Sequence, residues 1–92
     1  MNKTTITAKV EIDFPTGEKN IEMILKQGYE IENCKEGKVV MLNLTDGQEL
    51  TGIFKGMADE DVKLGTLDGK HTLGYNIHWV NQYFEELNPT KS

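Results

Sequence analysis

The chain contains no arginine: its ten basic residues are all lysines, against fifteen Asp and Glu, for a net charge of -5. Arginine supplies the planar fork that grips guanine and phosphate in two places, and a flat face for base stacking. General nucleic-acid affinity comes mainly from neutralising phosphates. An acidic chain without arginine is therefore poorly built for it; no DNA binding is expected, and RNA is disfavoured. There is a single cysteine, Cys34, so no internal disulfide framework exists. Cys34 sits in IENCKEGK with no patterned His or Asp beside it, which makes it a structural thiol rather than a nucleophile. No apolar run approaches the ~20 residues of a membrane helix. The opening MNKTTITAKVEIDF alternates and lacks the continuous apolar stretch of a secretory signal. A soluble, cytoplasmic protein without membrane partners is expected.

Catalytic patterns are missing too. There is no glycine-rich phosphate loop and no Ser/His/Asp arrangement. His71 and His78 lie seven apart, with no Cys or Glu at ligand spacing. Asp59-Glu60-Asp61 lacks the spacing of a calcium loop and reads as a solvated turn. The chain is expected to be a non-enzyme with no metal and no cofactor.

What is present is a pattern of strands. At 92 residues the chain is one domain with one modest core. Thr5 to Phe14 alternates strictly, with Ile6, Ala8, Val10 and Ile12 on one face. Pro15-Thr16-Gly17 interrupts it. In EKNIEMILKQG, the residues Ile21, Ile24 and Leu25 recur at helical spacing with Met23 at the flank. Thr16 suits an N-cap and Gly28 the position past the end, so a short helix is predicted over 16–28. GYEIENCKEG is a polar connector, with a few extended residues at Tyr29 to Ile31.

From Lys38 on, five short strands are predicted. KVVMLNLT alternates, Asp46-Gly47 is a hairpin signal, and QELTGIFKGM carries a mid-strand glycine, Gly52, that suggests a bend or bulge. VKLGTL, a second Asp-Gly turn at Asp68-Gly69, KHTLGYNI and HWVNQYFEEL complete the set. The predicted organisation is an N-terminal strand (1–15), a helix (16–28), a barrel (38–87) and a flexible tail (88–92).

The segment Val39 to Gly56, VVMLNLTDGQELTGIFKG, resembles the first motif of the Sm and Sm-like proteins: an alternating strand, Asp-Gly, and a second strand with glycines four residues apart, here Gly52 and Gly56. LGYNIHWV resembles the second motif, Arg-Gly-x-Asn-Ile-x-x-apolar, through Gly74, Asn76, Ile77 and Val80. The likeness spans roughly Glu18 to Leu87. It implies a mainly β fold: a five-stranded Sm-like or SH3-like antiparallel barrel with an N-terminal helix, preceded here by an extra strand. It also implies a ligand site at the Gly56–Asp61 loop and the Gly74-Tyr75-Asn76 turn, with Met57, Asp59, Asp61, Gly74, Tyr75 and Asn76 as candidate RNA-binding residues.

The departures are chemical. The arginine of the second motif is Leu73 here, and Asp61 stands nearest the base-reading asparagine of the first. In the Sm family the last strand pairs with the fourth strand of the next subunit and closes a ring. His71, Leu73, Trp79, Val80 and Tyr83 are the candidate subunit interface on that basis. Lys55, Lys63 and Lys70 read as solvated positions on successive strands.

Three functions are consistent with these features. The first is a non-catalytic, self-associating interaction or scaffold module, with itself as partner. The second is an Sm-like ring that binds short single-stranded RNA. The third is a monomeric SH3-like domain that binds a peptide through Tyr29, Trp79 and Tyr83. Charge favours the first.

Overall fold

The computed structural model describes residues 6–87 and is mainly β. Seven strands form one antiparallel sheet: β1 (Thr7–Phe14), β2 (Gly17–Gln27), β3 (Val39–Leu44), β4 (Glu49–Ala58), β5 (Asp61–Gly65), β6 (Thr72–Asn76) and β7 (Val80–Glu86). Two 3-10 segments, Gly28–Asn33 and Ile77–Trp79, link β2 to β3 and β6 to β7. The strand order is β1-β2-β7-β3-β4-β5-β6, so the sheet curls into a half-barrel whose edges are β1 and β6. The predicted tail at 88–92 lies outside the described residues, as does the start of the predicted first strand.

The five strands predicted after Lys38 are present, but the sheet has seven, and the predicted helix is β2. β1 and β2 form a hairpin, paired from Thr7↔Ile24 to Phe14↔Gly17 across Pro15-Thr16. Proline pre-sets the second position of such a tight turn, and glycine suits the fourth. The helical reading placed Ile21, Ile24 and Leu25 on one stripe. In the structure Ile21 and Met23 share a strand face, and Met23, left at the flank of that stripe, is 0% exposed. A helix here would have left the alternating apolar face of β1 without a partner strand. The residues expected to be extended, Tyr29 to Ile31, lie in the first 3-10 segment instead. Its start is fixed by the Gln27 backbone N–H, which donates to Glu30 Oε2 at 2.9 Å.

Strict alternation divides the apolar residues between two cores. Val40, Leu42 and Leu44 of β3 face the concave side with Phe54, Val62, Leu64, Val80 and Tyr83, and Ile31 and Cys34 close it from the first 3-10 segment and just beyond. Val39 and Met41 face the opposite side. There Ile12, Met23, Val10 and Phe14 from the hairpin pack on Ile53, Leu67 and Phe84. The hairpin therefore covers the outer face of the half-barrel. Burying both faces requires near-continuous apolar runs on the central strands, as VVMLNL provides.

The curvature has local causes. Phe54 pairs with Leu64 and Met57 with Val62, so two residues of β4 face one of β5. This bulge holds Gly56 at φ 98, in the left-handed region that a side chain disfavours. The bulge anticipated at Gly52 thus falls further along β4, at Lys55 and Gly56, while Gly52 lies against the Gly65 carbonyl and the Leu64 side chain. Both Asp-Gly turns form: Gly47 and Gly69 have φ values of 93 and 75. Asp46 accepts from the Gln48 N–H at 3.0 Å, and Asp68 from the Lys70 N–H at 3.0 Å and the Thr66 hydroxyl at 2.6 Å. Among the described residues no helix is long and apolar enough to cross a membrane.

Candidate functional site

The six residues implied as an RNA site are brought together. Asp61 pairs with Asn76, Val62 with Tyr75 and Lys63 with Gly74, beside the β4–β5 turn that carries Asp59 and Glu60. Asp59 has φ 56, the one positive value among the described non-glycine residues, which aspartate tolerates in a two-residue turn. The Ile77 N–H donates to the Glu60 carbonyl at 2.7 Å and ties the turn to the end of β6.

The side chains there are already occupied. Asn76 Oδ1 accepts from the His78 N–H at 2.9 Å and caps the second 3-10 segment. Met57 and Tyr75 are half-buried against the concave core. Three carboxylates, Asp59, Glu60 and Asp61, face solvent around this turn, with Lys63 lying along Gly74. His78 Nε2 stands 3.9 Å from Glu60 Oε1, both well exposed. The ensemble presents negative charge and no free stacking platform. Among the described residues no three His, Cys, Asp or Glu side chains converge as a metal site.

The candidate interface residues separate into two groups. Val80 and Tyr83 point into the concave core, with Tyr83 0% exposed, so neither side chain reaches the surface. Tyr83 is for the same reason unavailable to a bound peptide. Leu73 is 40% exposed, Trp79 is 59% exposed, and His71 is exposed in the loop before β6. His71 is held there by backbone bonds: its carbonyl accepts from the Thr66 N–H at 2.9 Å, and its N–H donates to Thr66 Oγ1 at 3.1 Å.

β7 is an internal strand, not an edge. β3 pairs along one side of it and β2 along the other, from Met23↔Glu86 to Gln27↔Gln82. The strand edge on which the ring implied by the resemblance depends is thus filled by the chain's own N-terminal hairpin. Among the described residues the unpaired edges belong to β1 and β6.

Sequence reasoning missed an ionic cluster inside the fold. Glu85 is 5% exposed; its carboxylate accepts from the Tyr83 hydroxyl at 2.9 Å and Lys38 Nζ at 2.9 Å, with Lys26 Nζ 3.4 Å away. The neighbouring Glu86, on the opposite face, is as deeply buried and accepts from the Val39 N–H at 3.1 Å. Glutamates near a chain end read as solvated. The signal that places Glu85 is its spacing of two from Tyr83 on one strand.

Cys34 borders this cluster. Burial, reinforced by the negative charge of Glu85, pushes its thiol up to about 12. Thiolate is the reactive form, so the native thiol is expected to be inert. Alkylation by iodoacetamide at pH 8 should run at least about tenfold slower in the folded protein than in denaturant, because the folded thiol, pushed up to about 12, holds far less thiolate. Equal rates in the two states, followed by mass spectrometry, would contradict this placement.

Comparison with family models, curated proteins and solved structures finds no match to this chain. The class that fold and surface define is therefore a structural one: a small antiparallel half-barrel with a hairpin covering its outer face.

Proposed function

We propose that the protein is a non-catalytic interaction module built on an Sm-like or SH3-like half-barrel, and that it self-associates through the outer edge of β6. The observation that carries this is the contrast between the two free edges. β1 bears Lys9, Glu11 and Asp13, all exposed, and edge charges are how natural sheets prevent strand addition. β6, TLGYN, bears no charge and no proline, has no partner strand on its outer side among the described residues, and leaves Leu73 40% exposed. Two copies that meet here pair β6 with β6 antiparallel about a twofold axis, which makes the contact self-complementary and closed.

Light scattering on a sizing column tests the reading across a range of loading concentrations, with and without a uridine-rich oligonucleotide. The expected particle is twice the 10.4 kDa chain. Leu73→Lys, which places a charge on the bare edge, is expected to return it to a monomer with an unchanged thermal melt. A wild-type mass that stays at 10.4 kDa at all concentrations would sink the proposal. Co-elution of the oligonucleotide would favour the RNA-binding alternative.

A further inference from the structure

The chain has seven aromatic residues. Phe14, Phe54, Tyr75, Tyr83 and Phe84 pack into the two cores. The other two, Tyr29 and Trp79, are 70% and 59% exposed, the most exposed large apolar side chains among the described residues. They come from distant parts of the chain, yet both flank Thr45. Tyr29 lines a groove of about 310 Å³ together with Thr45, Ile77 and Val80. Trp79 lines an adjoining hollow of about 190 Å³ with Leu44, Thr45 and Asp46. The Thr45 N–H donates to the Trp79 carbonyl at 2.8 Å, which fixes the two hollows to each other.

The charges around this surface have one sign. Glu32 lines the groove beside Tyr29, and Asp46 lines the hollow beside Trp79. His78, the one basic group in the lining, stands against Glu60. Among the described residues no lysine lines either hollow. Exposed aromatic faces bordered by carboxylates attract a cation twice, through the ring quadrupole and through direct charge. They repel phosphate.

We propose that this surface binds an extended, cationic segment of a partner protein, seating a lysine or arginine side chain against Tyr29 and Trp79 with its charge on Glu32 and Asp46. The site uses none of the β6 residues and does not depend on self-association. Ile77 and Val80 in the lining take the stem of the long side chain, as such stems usually bury while their heads stay wet.

Trp79 is the sole tryptophan, so its fluorescence reports on this surface directly. The probe is the peptide acetyl-Ser-Arg-Val-Arg-Ser-Gly-amide, compared with the same peptide carrying citrulline in place of both arginines. The arginine peptide is expected to shift Trp79 emission saturably and to bind at least tenfold more tightly than the citrulline peptide. Tyr29→Ala, and Glu32→Gln combined with Asp46→Asn, should each weaken it at least fivefold. Leu73→Lys should leave it unchanged, which separates this site from the β6 edge. Absence of a saturable shift, equal binding of the citrulline peptide, or full affinity in Tyr29→Ala would overturn the assignment. So would preferential binding of a uridine-rich oligonucleotide here.

Discussion

Gly28→Ala is expected to destabilise the fold by about 4 kcal/mol or more, at the exceptional end of single-substitution effects. A Cβ at Gly28 would overlap the Val80 carbonyl oxygen and stand 2.8 Å from its carbon. Both atoms are backbone, so no side-chain rotation relieves the clash. Movement would have to come from β7, which is pinned between β2 and β3. Gly28 also opens the 3-10 segment that carries Ile31 into the concave core. Displacement there would uncover one end of the barrel. Gly47→Ala is the matched control: its φ is 93 but nothing lies within 4 Å, and the expected loss is about 1–2 kcal/mol from backbone strain alone. Chemical denaturation of the two variants measures the difference. Equal losses would mean that the close approach of Gly28 to β7 is not a constraint.

Glu85→Leu should destabilise by about 3–5 kcal/mol, because removing one member of a buried ionic cluster leaves the others uncompensated. Lys38 Nζ and the buried Tyr83 hydroxyl would both lose their acceptor. A Glu85→Leu, Lys38→Met double variant should recover part of the loss, since a paired charge is costly mainly when it is left alone. The cluster also sets a pH dependence. Burial by itself pushes the Glu85 carboxyl up, but hydrogen bonds from Lys38 and Tyr83 and the charges of Lys26 and Lys38 outweigh it and hold the group below its ordinary value.

A carboxyl whose pKa is lower folded than unfolded contributes stability that is fully present above the unfolded value, about 4.3 for Glu. That contribution is lost as pH falls through the folded value. Asp68, lowered by its bonds to Thr66 and Lys70, acts in the same direction at the surface. Melting temperature should therefore fall on acidification below about pH 5, and less steeply in Glu85→Gln. Identical slopes for the two proteins between pH 3 and 7 would refute the role given to Glu85.

The burial of Glu85 also marks where sequence reasoning stops. The pattern Tyr83-x-Glu85 puts both residues on one strand face, which was legible. That this face is interior at residue 85 depends on Lys38, Lys26 and the 3-10 segment converging on it from elsewhere in the chain. A glutamate scored alone reads as solvated. The β2 segment failed for a related reason. Ile21, Met23, Ile24 and Leu25 satisfy a helical stripe and a strand face about equally over so short a run. The tie is broken by β1, which needs a strand beside it, and by the outer face of β3 and β4, which needs a cover. The candidate RNA-binding residues implied by the resemblance show the opposite case: the β4–β5 turn and the end of β6 do lie side by side, yet only the tertiary structure reveals that the oxygen of Asn76 is committed to a cap.

The sequence by itself determined the strands after Lys38, both Asp-Gly turns, the acidic charge and the single thiol, because these follow from composition and from patterns a few residues long. Tertiary structure decided that residues 17–27 form a strand and that β7 is internal. It also decided that Tyr83 and Glu85 are buried while Tyr29 and Trp79 line adjoining hollows that share Thr45. Each of those outcomes depends on which distant segment packs against a residue, and local periodicity carries no information about that partner.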